Sequence, residues 1–342
     1  MKTILILLIP FILFSQTIIA DHTIVDDYDI IPQQYLDSVK TMLLLYGGES
    51  HSGAIPYGCE SLRASDSKFP VVTTWTGAPA AITDTALRIS KTIRNLTNTG
   101  WLRGVGEQTF YTNQAAITAL QVTFGYYKTT ISNPIDVMCF GWCWDMTWHN
   151  ACTATQDAVY EVGWAGSSVS GPQGDLPWGL DAADSLITGN SVCMDDYLAA
   201  VETYNAYDET DFVVFFSTGP VDNVAGSDEA YQRYIKHEYI RDYVDANGGY
   251  LFDYADILCY NNSGVAATTT WNGHTFPHIH TDNTGNYDGG YGACHIGEVG
   301  CIRLAKAMWW ILARKAGWDG QAEQQTQTGI SIKIRKIGNV TY

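Results

Sequence analysis

Basic residues are scarce. The chain carries 19 Lys and Arg against 36 Asp and Glu, a formal net charge of -17, and it has no basic run. Phosphate backbones are gripped by clustered Lys and Arg, so nucleic acid is not expected as a partner. Anionic membrane surfaces are disfavoured for the same reason. Beyond the N-terminus no apolar stretch is long enough to span a bilayer, so no membrane contact is expected of the mature form. A paired CxxC set is missing, which argues against a zinc ribbon. Internal repeats are absent as well.

What is present begins with an export pattern. Lys2 supplies a positive start, Ile4 to Phe14 is apolar but short, and Ala20 precedes the polar Asp21-His22-Thr23. This predicts a signal peptide over residues 1–20, cut after Ala20, and a secreted or periplasmic protein. The rest is ample for one large core, or two modest ones. Eight cysteines in an exported chain suggest disulfides. Cys143 and Cys193 are the leading pair, because both flank a Trp-rich loop. The 11 Trp and 21 Tyr fit a sugar-binding surface or an aromatic core.

Apolar runs at Leu43–Tyr46, Ile135–Phe140, Phe212–Phe216 and Tyr250–Tyr254 read as strands. Helical stripes lie between and beyond them. One is capped by Thr83 or Asp84 and runs through Ala86, Ile89, Ile93 and Leu96. Others centre on Ile117, on Tyr197, on Asp228–Ala246 and on Glu298–Ala316. Residues 255–292 read as a long loop, and 321–342 as a polar tail or linker. The alternation predicts one α/β domain over 21–320, a three-layer α/β/α fold with a mostly parallel sheet. Ligands of such folds bind beyond the carboxyl ends of the strands, which singles out the loops starting near Gly47, Gly141, Ser217 and Asp256.

The first of these loops reads Gly47-Gly48-Glu49-Ser50-His51-Ser52-Gly53. A serine just past a strand end, flanked by glycines, can present its hydroxyl while backbone N–H groups face a developing oxyanion. His295 lies after the last strand and before the last helix, on the same predicted edge, where an imidazole can take the serine proton. Trp142 and Trp144 follow a strand end on that edge and suit either sugar stacking or a buried aromatic cluster. His274, His278, His280 and Asp282 have the spacing of a metal-ligand set, although a loop does not hold such a set in place.

Gly48-Glu49-Ser50-His51-Ser52 resembles the first block of the SGNH, or GDSL-type, hydrolases. VVFFSTGPVDN, EYIRDYVDANGGYLFDYADIL and HIGEVGCIRLAKAMWWILARKAGWDG resemble a group of secreted SGNH-like proteins of unassigned substrate. The resemblance implies a flavodoxin-like sheet, Ser50 as nucleophile, His295 as catalytic histidine, and an esterase acting on acylated carbohydrate without a cofactor. His51, Gly106, Trp142 and Trp144 are then the expected substrate contacts. The pattern also departs from the family. Position 292, three before His295, is Gly rather than Asp. Asp288 is the leading replacement, with Asp282, Asp253 and Asp256 as alternatives. The block that supplies an oxyanion Asn reads Phe140-Gly141-Trp142-Cys143-Trp144-Asp145, and only Gly104 or Gly106 meets the glycine donor. Two other readings stay open: a non-catalytic carbohydrate-binding protein on the same fold, and a metal-dependent hydrolase built on the His274 cluster.

Overall fold

A computed structural model describes residues 17–48, 50–103, 114–141, 178–184, 192–207, 212–221, 228–287 and 295–322. Its centre is a parallel sheet. The strands are β1 (Thr17–Ala20), β2 (Leu43–Gly48), β3 (Val71–Thr74), β4 (Leu87–Ser90), β5 (Val137–Gly141), β6 (Val213–Val214), β7 (Phe216–Ser217) and β8 (Gly249–Phe252). They pair in the orders β3-β4-β2-β5-β6 and β1-β8-β7, every pair parallel. β6 and β7 are two halves of one apolar segment. Between them the Phe215 N–H donates to Met138 O at 2.9 Å, so this segment joins the two groups of strands.

Side-chain alternation splits the apolar runs between two cores, one on each face of the sheet. Leu44, Tyr46, Val137, Cys139, Phe215 and Phe252 enter one core. Leu43, Leu45, Met138, Phe140, Val214, Phe216 and Leu251 enter the other. The first face is covered by α1 (Gln33–Lys40), α2 (Ala54–Ser65), α6 (Tyr254–Cys259) and α7 (Glu298–Lys315). The second is covered by α3 (Gln114–Thr129), α4 (Met194–Asn205) and α5 (Asp228–Asn247). The result is the expected three-layer α/β/α architecture.

Helices α2 and α7 approach closely at Gly58. A Cβ at that position would overlap the backbone carbonyl of Cys301. Backbone cannot retreat as a flexible side chain can, so Gly58→Ala should destabilise the fold by about 1–3 kcal/mol, the usual cost of overpacking. Chemical denaturation of the two proteins side by side measures it; equal midpoints would show that the helices separate freely.

Several sequence expectations need correction. The stripe from Ala86 to Leu96 is not a helix. Leu87 and Ile89 alternate into the sheet as β4, and a short antiparallel pair, Ile93–Arg94 with Trp101–Leu102, follows. Apolar residues three or four apart imitated a helical face, while buried Arg88 donates in the strand to Asn133 Oδ1 and to Thr41 O, the latter at 2.8 Å. Residues 255–292 are not one loop either. They contain α6 and a hairpin of β9 (Thr268–Trp271) and β10 (His274–Pro277), followed by β11 (Thr284–Gly285).

The expected cut after Ala20 conflicts with β1. Thr17–Ala20 pairs in register with Gly249–Phe252, and Ile18 and Ala20 are buried. A chain cut after Ala20 would lack this strand.

No disulfide joins any two of the five described cysteines, Cys59, Cys139, Cys193, Cys259 and Cys301, and all are buried. Cys143 lies outside the described residues, but Cys193 is a buried free thiol, so the expected pairing of the two is not formed. Burial pushes the Cys139 thiol up to about 12, which keeps it neutral and unreactive. Most of the predicted tail, from residue 323 on, is also outside the described residues. Among the described residues no helix is long and apolar enough to cross a membrane.

Candidate active site at the carboxyl edge of the sheet

β2 ends in a turn that only glycine allows. Gly48 has φ +115°, and a Cβ there would overlap Gly141 O across the strand pair. The chain then forms a single 3-10 turn, Ser50–Gly53, that leads into α2. The buried ammonium of Lys91, just past β4, donates to Gly48 O and to Arg103 O, the latter at 3.4 Å. Ser50 is half-buried, whereas His51 and Ser52 are buried. Of the two serines in this turn, Ser50 is the one with solvent access.

Two tyrosines clamp the turn. The Tyr287 hydroxyl donates to Ser50 O at 2.6 Å, and the Tyr254 hydroxyl to His51 O at 3.1 Å. Ser50 Oγ lies 3.5 Å from His51 Nδ1, at the outer limit of hydrogen bonding. Position 295 lies on a strand that is linked to this turn through Tyr287. β12 (His295–Ile296) runs antiparallel to β11, and the Tyr287 N–H donates to Ile296 O at 2.9 Å. Tyr287 thus ties the strand carrying His295 to the turn carrying Ser50. β5 also ends here, since Gly141 is the register partner of Gly48 and abuts Ser52. Asp288, Gly106, Trp142 and Trp144 lie outside the described residues.

The alternative aspartates have other partners. Asp253, just past β8, is buried and takes a two-point contact from Arg241, Nε to Oδ2 at 2.7 Å and Nη2 to Oδ1 at 2.8 Å. It also accepts from Thr218 Oγ1 at 2.9 Å. Burial alone would pull the Arg241 guanidinium down, but Asp253 and then Glu238 hold it well above its ordinary value. Removing one partner of a buried pair strands the other charge. Arg241→Met should therefore cost roughly 3–5 kcal/mol in urea denaturation, and Asp253→Asn added to it should recover part of the loss. An unchanged midpoint for the single variant would mean that Asp253 is solvated without Arg241.

Asp256 accepts from His22 twice, from the backbone N–H at 2.8 Å and at Nδ1 at 2.5 Å. Burial and then Asp253 raise the Asp256 carboxyl, and His22 opposes them. The His22 ring stacks flat on Tyr260 with centroids 3.3 Å apart. Asp282 lies 3.5 Å from His280 Nδ1.

The histidine cluster read from the sequence does not gather into one ligand set. His274 stacks on Tyr231 at 4.5 Å, and His280 accepts from the Asp282 N–H at 3.1 Å. Among the described residues the group whose donor atoms all lie within 4.8 Å of one another is Asp21, His22 and Asp256. One imidazole nitrogen and two carboxylates form a donor set of the borderline, divalent-metal kind.

Sequence reasoning missed Tyr287 and Tyr254, because both sit in the stretch read as strand end or loop. It missed the His22–Asp256 pair because the predicted cut ran beside it. Arg241 had no signal beyond its place on a helix. No family model matches this chain, and no curated protein sequence matches it.

Proposed function

We propose that this chain is a serine carboxylic-ester hydrolase of SGNH type that removes acyl groups from carbohydrate. The observation that carries the reading is the placement of Ser50. It is the solvent-reaching serine of a glycine-bounded turn at the carboxyl end of the central strand β2, tied through Tyr287 to the strand that bears His295. In this reading the Ser50 hydroxyl attacks the ester carbonyl while an imidazole accepts its proton. The same imidazole then hands that proton to the leaving sugar oxygen, and water repeats the sequence on the acyl-enzyme. His295 is the proposed base and Asp288 the group that orients it. Trp142, Trp144, Gly106 and His51 are proposed to contact substrate. The reading includes export, supported by Lys2 and the apolar run Ile4–Phe14, with a boundary before Thr17.

A serine-directed fluorophosphonate tests the nucleophile. Peptide mapping should find the label on Ser50. Label on Ser52 would reassign the nucleophile.

A second reading, a non-catalytic carbohydrate-binding protein on the same fold, is favoured by the engagement of Asp253, Asp256 and Asp282 with Arg241, His22 and His280. Glycan binding that survives Ser50→Ala, together with no turnover of any acyl ester and no labelling, would select it.

A further inference from the structure

β3 delivers an aromatic ring to the edge of the sheet where Ser50 lies. Trp75 is the first residue past β3, and β3 runs parallel to β4, as β4 does to β2. The indole is held at both ends. Its N–H donates to Glu60 Oε1 on α2 at 3.2 Å, and the same oxygen accepts from Thr73 Oγ1. At the opposite edge of the ring, Trp75 Cζ3 would lie 3.5 Å from a Cβ at Gly53, the last residue of the Ser50–Gly53 turn. Trp75 is half-buried, so the fixed ring is a shelf with solvent access.

The shelf carries a cation. The Arg103 guanidinium lies over the Trp75 ring, 5.8 Å from its centroid. The Arg103 backbone is tied to the other end of the turn, since Lys91 Nζ donates both to Arg103 O at 3.4 Å and to Gly48 O. Arg103 is exposed, and among the described residues no carboxylate pairs with it. The chain has 36 acidic side chains for 19 basic ones, so acid partners are plentiful, and a cation beside this turn without one is open to an anion from outside.

Building on the carbohydrate-esterase reading, we propose that Arg103, held on Trp75, binds the carboxylate of a uronic-acid residue, which makes the acylated carbohydrate an acidic one. The planar fork of a guanidinium matches the two oxygens of a carboxylate. Stacking on the indole orients that fork beforehand, so less side-chain freedom is lost when the sugar binds. One cation suits the single charge of a uronate better than a phosphate monoester, which carries nearly two. The acidity of the whole chain does not forbid the contact, because exposed charges more than about 8 Å apart are largely screened at physiological ionic strength.

Isothermal titration calorimetry of the full chain tests the subsite, with a short oligogalacturonate and a neutral xylo-oligosaccharide of equal length as probes. The uronate should bind more tightly by roughly 3–10-fold, and the advantage should shrink as salt is added. Arg103→Gln should remove the advantage, Arg103→Lys should keep part of it, and Ser50→Ala should leave it whole. No preference for the uronate, or a preference that survives Arg103→Gln, overturns the subsite, even where neutral acetyl esters are hydrolysed and the esterase reading stands. A preference lost in Arg103→Gln, together with no turnover of any acyl ester, upholds the subsite and removes the esterase. Tighter binding of a sulfated oligosaccharide of the same length would make sulfate the anion and overturn the uronate.

Discussion

Ser50→Ala should abolish hydrolysis of short-chain aryl esters and of acetylated polysaccharides, a loss of roughly 10⁴-fold or more. His295→Ala should lower turnover by roughly 10²–10⁴-fold, the usual size of a general-base contribution. Serine is a poor nucleophile until a base removes its proton in the transition state, and an imidazole titrating near neutrality suits that step. His51 competes for the role, since its Nδ1 lies 3.5 Å from Ser50 Oγ. Its place in the chain argues against it. His51 is buried, its carbonyl is pinned by Tyr254, and it is the immediate neighbour of Ser50, which restricts how its ring can follow the reacting oxygen. Steady-state kinetics of the three alanine variants separate the cases. If His295→Ala keeps near-wild-type turnover while His51→Ala loses it, the base belongs to the first loop.

The second large effect concerns the N-terminus. A chain beginning at Thr17 should fold, whereas one beginning at Asp21 should be unfolded or aggregate. The four residues removed in the shorter form are β1. Their loss uncovers the edge of β8, empties the buried sites of Ile18 and Ala20, and breaks the parallel ladder from Gly249 to Phe252. Burial of one isoleucine contributes roughly 1.5–3 kcal/mol, and each ladder hydrogen bond about 1 kcal/mol more. The sum is several kcal/mol, comparable with the whole stability of many domains. Circular dichroism melts of both forms decide the matter. Equal melting temperatures would show that β1 is dispensable and would restore the cut after Ala20.

The layers of the fold were legible because the buried strands are nearly pure apolar runs. Leu43–Tyr46 and Phe212–Phe216 have no polar break, and a strand with both faces covered needs none. β3 and β4 were not legible, since Val71–Thr74 is half polar and Leu87–Ser90 hides a buried arginine. Around β4, Ala86, Ile89, Ile93 and Leu96 are spaced as a helix would space them. β1 was hidden by a different ambiguity. An apolar segment that leads into a polar one reads equally as the end of a leader and as a strand with a polar turn. At the site, the position of Ser50 followed from strand-end logic alone. The clamp by Tyr287 did not, because it depends on a contact between residues 237 apart in sequence, and a local pattern carries no trace of it.

β1 also sets an order of events. It is the first part of the described chain to be synthesised, yet its one pairing partner is β8, more than two hundred residues downstream. Contacts that close so large a loop form slowly, because chain entropy is lost before the pairing is gained. While the ribosome is still making the middle of the protein, Ile18 and Ile19 have no edge to join. The sheet is completed from its last strands back to its first, and the nascent chain remains open at its beginning until residues 249–252 emerge.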